Sequence, residues 1–247
     1  MHAPFVPFQA DHWAALAFVV VASGCLIGLA RAGRWPRLTR ACEWSLAVLL
    51  VLSWPAEWLS AIYVNHVTWE EILPLHLCDL ASFTGAATLV WRRQLPAELT
   101  YFWAMAGTVN GLITPTVTYA FPHPTFFAFF LLHCSVVTAA AYVIGGMRLW
   151  PAAGAVRRVF LTSLAYLAGI AGVNWLLGTN FAFIREKPKS ASLLDMFGDW
   201  PWYVVGLIPF ALGVYSILYL PFWIARRAKS FPARVDASSR TPARLDS

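Results

Sequence analysis

The chain has 247 residues, 59% of them hydrophobic and only 12% charged, with a formal net charge of +6 at pH 7. That balance is too apolar for an ordinary soluble domain and places the chain in a bilayer. Its positive charge gathers beside apolar runs, which suits anchoring to anionic lipid and argues against nucleic acid as a partner.

A membrane-crossing helix needs about 20 mostly apolar residues. Seven such runs fit the sequence, at 13–30, 44–64, 72–91, 98–115, 125–147, 157–178 and 202–225. The expected fold is all-α, a polytopic bundle of seven transmembrane helices forming one domain over 1–225. The segment 226–247 is basic, rich in Ser and Pro, and reads as a disordered cytoplasmic tail. Arg31, Arg34, Arg37 and Arg40 follow the first run, Arg92 and Arg93 the third, and Arg148, Arg157 and Arg158 the fifth. With six more cations from Arg226 onward, 15 of the 18 Lys and Arg fall on one side. The positive-inside rule then sets the N-terminus outside and the C-terminus inside. The first run has no basic region before it, so a cleaved signal peptide is not expected. The four cysteines have no CxxC spacing, which gives neither a zinc knuckle nor a redox pair.

In chain order, the polar groups inside these runs are Glu57 just after Trp54-Pro55, then His76, Cys78 and Asp79 in the stretch LPLHLCDL, Asn110 and Thr114, His133, and Asn174. Polar groups at membrane depth are costly and are functional candidates by default. Cys78 lies roughly 10 Å and His133 roughly 13 Å from the outer face at 1.5 Å per residue. The others also fall in the outer half, and the inner half is expected to be nearly bare. On a regular helix His76 and Cys78 point to opposite faces, whereas His76 and Asp79, three apart, share one. That pair is either structural, with Asp79 holding one imidazole tautomer, or catalytic. The helix is expected to begin near Pro74, in whose first turn a missing N–H is harmless.

A buried thiol needs a base to become a nucleophile. His133, at matching depth, is the candidate base for Cys78, and such a pair suits acyl transfer through a thioester. Asn110 or His76 are candidate oxyanion donors. The loop after the sixth run carries Asn180, Arg185, Lys187 and Lys189 beside Glu186, Asp195 and Asp199. It is either a solvated loop or a basic rim for a lipid phosphate. His123, between two prolines in FPHPTFF, either caps the pocket or only stiffens a turn.

Four segments together resemble the YwaF-type family of bacterial integral membrane proteins: LPLHLCDL (73–80), ELTYFWAMAGTVNGLITP (98–115), FPHPTFFAFFLLH (121–133), and NFAFIREKP through SLLDMFGDWPWY (180–203). This resemblance implies a bacterial plasma (inner) membrane protein. More distantly the arrangement is similar to eukaryotic cysteine-dependent phospholipid acyltransferases, which implies Cys78 as acyl acceptor and His133 as general base. Cys134, where a small residue is expected, offers a second thiol near that base.

The reading favoured is a lipid acyltransferase or esterase with a pocket open to the outer leaflet. Its catalytic set is Cys78, His133, His76 and Asp79, and its substrate-binding set is Glu57, Asn110, Asn174, Asn180 and Lys187. Membrane phospholipids or fatty-acyl lipids are the expected partners, and no cofactor is required. One alternative is a metal-dependent lipid hydrolase using His76, Asp79, His123 and His133, against which stands the lack of HxxxH. The other is a transporter or lipid-binding protein, whose broken helices usually carry polar groups near the midplane.

Overall fold

The structure, a computed structural model, describes residues 3–188 and 193–230. In chain order its helices are α1 (Ala10–Ala32), α2 (Pro36–Tyr63), the short α3 (Trp69–Ile72), α4 (Leu77–Trp91), α5 (Gln94–Trp103), α6 (Val109–Ile113), α7 (Pro124–Gly145), α8 (Ala155–Leu177) and α9 (Trp202–Ser230). Among the described residues no sheet forms. Six helical stretches are long and apolar enough to cross a membrane: α1, α2, α3 with α4, α7, α8 and α9. The helix α9 runs on to Ser230, so the expected tail is helical over its first residues. The rest of that tail, and Lys189, lie outside the described residues.

The expected span 98–115 takes a less regular form. Residues 94–113 are helical throughout, but α5 and α6 are joined by a π-helical turn over Ala104–Thr108. Such turns widen the helix by one residue and are frequent at functional sites. The segment still runs from one end of the bundle to the other. Gln94 donates to the carbonyl of Trp150 at 2.9 Å, and the carbonyl of Leu112 lies 2.7 Å from His12 Nε2 near the start of α1.

The stretch LPLH also breaks the expected run 72–91. The helix α3 is started by a capping box, with Glu71 accepting from the Thr68 N–H and Thr68 accepting from the Glu70 N–H. Leu73, preceding Pro74, is extended, as a residue before proline prefers. The chain becomes helical again only at Leu77, where Asp79 Oδ2 accepts from the N–H of His76 at 3.0 Å. The expected start near Pro74 is therefore displaced by three residues.

At the centre stands α7, packed by α1, α2, α4, α5 and α6. Small residues let these helices close on each other. A Cβ on Gly85 would meet Leu50 at 3.2 Å and Ala139 at 3.6 Å. Around this seam Leu50, Ala81, Phe102, Val136 and Ala139 form the core.

The first residues of α2, α5 and α8 gather with the last residues of α4, α7 and α9 at an arginine-rich end, called here the basic end. It holds two buried carboxylates, so the half of the bundle expected to be bare is not. Glu43, 2% exposed, accepts from Arg40 at 2.7 Å, from Arg92 at 2.9 Å and from the Tyr142 hydroxyl at 2.7 Å. Glu98, fully buried, accepts from Arg158 Nε and Nη2, from the Ala152 N–H and from Gln94. Each carboxylate thus gains several donors and at least one cation, which offsets its desolvation.

Candidate functional site

The opposite end brings together the groups in LPLHLCDL and those of α2, α6 and α7. Cys78 is the second residue of α4, half-buried, and its sulfur receives the Thr108 hydroxyl at 3.6 Å. Thr108 is the last residue of the π-helical turn and is 1% exposed. As first-turn residues, Leu77 and Cys78 have N–H groups with no intrahelical acceptor, and the helix dipole favours negative charge beside them. A buried thiol still needs a neighbouring base to become a nucleophile.

His133 sits in the middle of α7. Its Nδ1 lies 2.9 Å from the carbonyl oxygen of Phe129, which can only accept, so Nδ1 carries the proton and Nε2 keeps its lone pair. The Phe129 ring, one turn away, stacks on the imidazole with centroids 3.9 Å apart and holds its plane. Gly111 on α6 allows the ring its position, for a Cβ there would lie 2.8 Å from His133 Nε2. Thr108 and Gly111 are three residues apart, so Cys78 and His133 both pack on one face of the same segment. They are not hydrogen-bonded to each other in this state; the donor at the sulfur is Thr108.

Asp79, 3% exposed, does not hold the imidazole of His76. It caps α4 through the His76 backbone N–H and meets the Glu57 carboxyl of α2 in hydrogen-bonding contact. The geometry argued for a regular helix fails here because His76 lies outside it. The His76 ring instead packs edge-on against Phe181, with centroids 5.1 Å apart, and near Phe183. The break that precedes α4 is pinned from two sides. Trp54 Nε1 donates to the carbonyl of Ile72 at 2.8 Å, and the Tyr166 hydroxyl donates to that of Leu75 at 2.9 Å.

The remaining expected residues are more distant from the sulfur or serve the loop. Asn110 is exposed and donates to the Ala106 carbonyl of its own turn. Asn174, 1% exposed, clamps the chain after α8 through the Phe181 backbone and the Thr179 hydroxyl. Asn180 accepts from the Arg185 and Glu186 N–H groups, and its own N–H donates to Glu70. Lys187 pairs with Asp195 at 3.7 Å and lies over the Tyr203 ring. His123 caps α7 ten residues before His133, roughly 15 Å along the axis, so the four proposed metal ligands do not converge. Cys134 is buried on the α1 side, with Ala15 O 4.0 Å from its sulfur, and does not compete for His133.

Three residues of this site were missed from the sequence: Thr108, Gly111 and Tyr166. Gly107 and Gly111, one turn apart in a membrane run, were the available sign of close packing.

An all-helical bundle with six membrane-length helices, and with thiol, imidazole and carboxyl groups gathered at one end, defines a multi-pass membrane protein. Residues 7–219 match the TMEM164 family, and the chain belongs to that family. It is also similar to an uncharacterised protein of Treponema pallidum (strain Nichols), 26% identical over 222 residues that cover 88% of this chain and 90% of that protein. No solved structure matches.

Proposed function

We propose that this protein is a lipid acyltransferase of the bacterial inner membrane, working through a thioester on Cys78 with His133 as general base. The observation that carries this reading is the fixed tautomer of His133, whose unprotonated Nε2 packs on the same short segment that holds the Cys78 sulfur. The likeness to the YwaF-type proteins and to cysteine-dependent phospholipid acyltransferases supports it.

In the first half-reaction Nε2 takes the thiol proton as the sulfur attacks an ester carbonyl of a phospholipid. The carbon–oxygen bond breaks, and the imidazolium returns its proton to the departing lysophospholipid oxygen. In the second, His133 takes the proton of an acceptor hydroxyl, which attacks the thioester carbonyl. The carbon–sulfur bond then breaks and the sulfur regains its proton. The free N–H groups of Leu77 and Cys78 are the donors best placed for the oxyanion, in preference to Asn110 and His76. Substrate entry is required to bring sulfur and imidazole together, since catalytic hydrogen bonds are often loose without substrate.

In this reading 94–113 is a seventh crossing, because 20 residues of helix span about 30 Å. The arginines make the basic end cytoplasmic, with the N-terminus outside, the C-terminus inside and the thiol toward the outer leaflet. The test is transfer of a labelled acyl chain from phospholipid to lysophospholipid in vesicles holding the purified protein. Activity lost in Cys78→Ala supports the proposal, and full turnover in that variant overturns it.

A further inference from the structure

We infer that Glu57 is a positioning residue: its carboxyl shares a single proton with Asp79, and this bond fixes the first turn of α4, on which Cys78 is carried. The inference rests on the acyl-transfer reading for its purpose, but on separate geometry for its substance. Glu57 lies on the stripe Leu46, Leu50, Ser53, Glu57 and Ala61, whose spacing of three and four residues places it on the packed face of α2. Asp79 is 3% exposed, and its Oδ2 already accepts the His76 N–H that starts α4. The carboxyl groups of the two residues are in hydrogen-bonding contact.

An ionised carboxylate only accepts hydrogen bonds, so a bond between two of these groups needs a proton on one of them. Among the described residues no cation resolves the conflict otherwise. Among the described residues neither Glu57 nor Asp79 has a Lys or Arg ion pair, in contrast to Glu43 and Glu98 at the basic end. The charged and titratable groups that face the pair are Glu71 from α3, Cys78 and the capping His76 from α4, and Tyr166 from α8. Glu71 adds negative charge, which further disfavours a doubly ionised pair. Two ionised carboxylates here would repel each other, loosen the cap of α4 and place two negative charges beside the residue that must form a thiolate. With one proton shared, the pair ties α2 to the start of α4 and carries a single charge.

The test uses the full chain in phosphatidylcholine vesicles. Infrared spectroscopy in light and heavy water reads the carbonyl stretch of a protonated carboxyl group at neutral pH. N-ethylmaleimide labelling, followed at the Cys78 peptide by mass spectrometry, reads how that thiol is held. The wild type is expected to show the protonated band, and both Glu57→Gln and Asp79→Asn to lose it. Glu57→Gln, whose amide still donates to Asp79, is expected to label at Cys78 within about two-fold of wild type, and Glu57→Ala to change that rate about five-fold.

No band in the wild type overturns the inference, as does a band that persists in both variants. A band without any change of labelling in Glu57→Ala overturns the positioning role. If band and labelling behave as expected but the wild type forms no acyl adduct, the carboxyl pair stands and the acyl-transfer reading falls.

Discussion

The two ends of this bundle bury similar polar groups and treat them in opposite ways. At the basic end Glu43 and Glu98 are enclosed by arginines, a tyrosine hydroxyl and backbone donors. At the other end Glu57 and Asp79 lean on each other, Cys78 has one weak hydroxyl donor, and His133 keeps Nε2 free. The first arrangement is what stability requires, since a buried charge without partners is strongly destabilising. The second leaves polar groups at membrane depth with fewer donors and, among the described residues, no arginine, which makes them functional candidates by default. The contrast teaches that burial of polar groups in this chain does not by itself mark a site; the two ends differ in how those groups are paired.

Breaking the scaffold end is expected to have the largest effect on stability. Glu43→Ala strands Arg40, Arg92 and the Tyr142 hydroxyl, and a loss of about 3–5 kcal/mol is expected in denaturant unfolding. Molecules that remain folded should still form the acyl adduct at Cys78. At the other end the order reverses: His133→Ala should lower kcat/KM by about 10²–10⁴-fold, with unfolding midpoints little changed. Gly111→Ala sharpens the comparison, because its Cβ would enter the space of the His133 ring. A fall in rate of about 10- to 100-fold is expected from displacing the base, with a stability loss of about 1–3 kcal/mol from overpacking. The smallest effect belongs to Cys134→Ala, which should stay within about two-fold of the wild-type rate because that thiol is packing on the α1 side. A large loss there would return Cys134 to the site.

Much of the fold can be read from the apolar runs, because six of the seven cut segments correspond to membrane-length helical stretches. What could not be read is where those helices break. AMAGT carries no proline or charge to announce a π-helical turn, and treating LPLHLCDL as one regular helix hid the fact that His76 is a cap. The pattern His76-x-x-Asp79 could have suggested a cap had it been weighed against a side-chain pair. The burial of Glu43 and Glu98 was hidden for another reason. Both sit at the edges of runs, where interfacial exposure is the ordinary expectation, and both are covered by arginines from other helices. Asn174 and Asn180 stood out as polar residues, but their bonds are to loop backbone whose course no periodicity reveals. The facing of Cys78 and His133 on Thr108 and Gly111 joins three separate helical stretches and is a tertiary result.

The most direct test of the central claim is intact-protein mass spectrometry of detergent-purified protein after incubation with phospholipid, comparing wild type with Cys78→Ala. The account predicts a mass increase of one fatty-acyl group on the wild type, removed by hydroxylamine and absent from the variant. An adduct of the same size and sensitivity on Cys78→Ala would contradict it, and so would a wild type that stays unmodified while transferring no acyl chain.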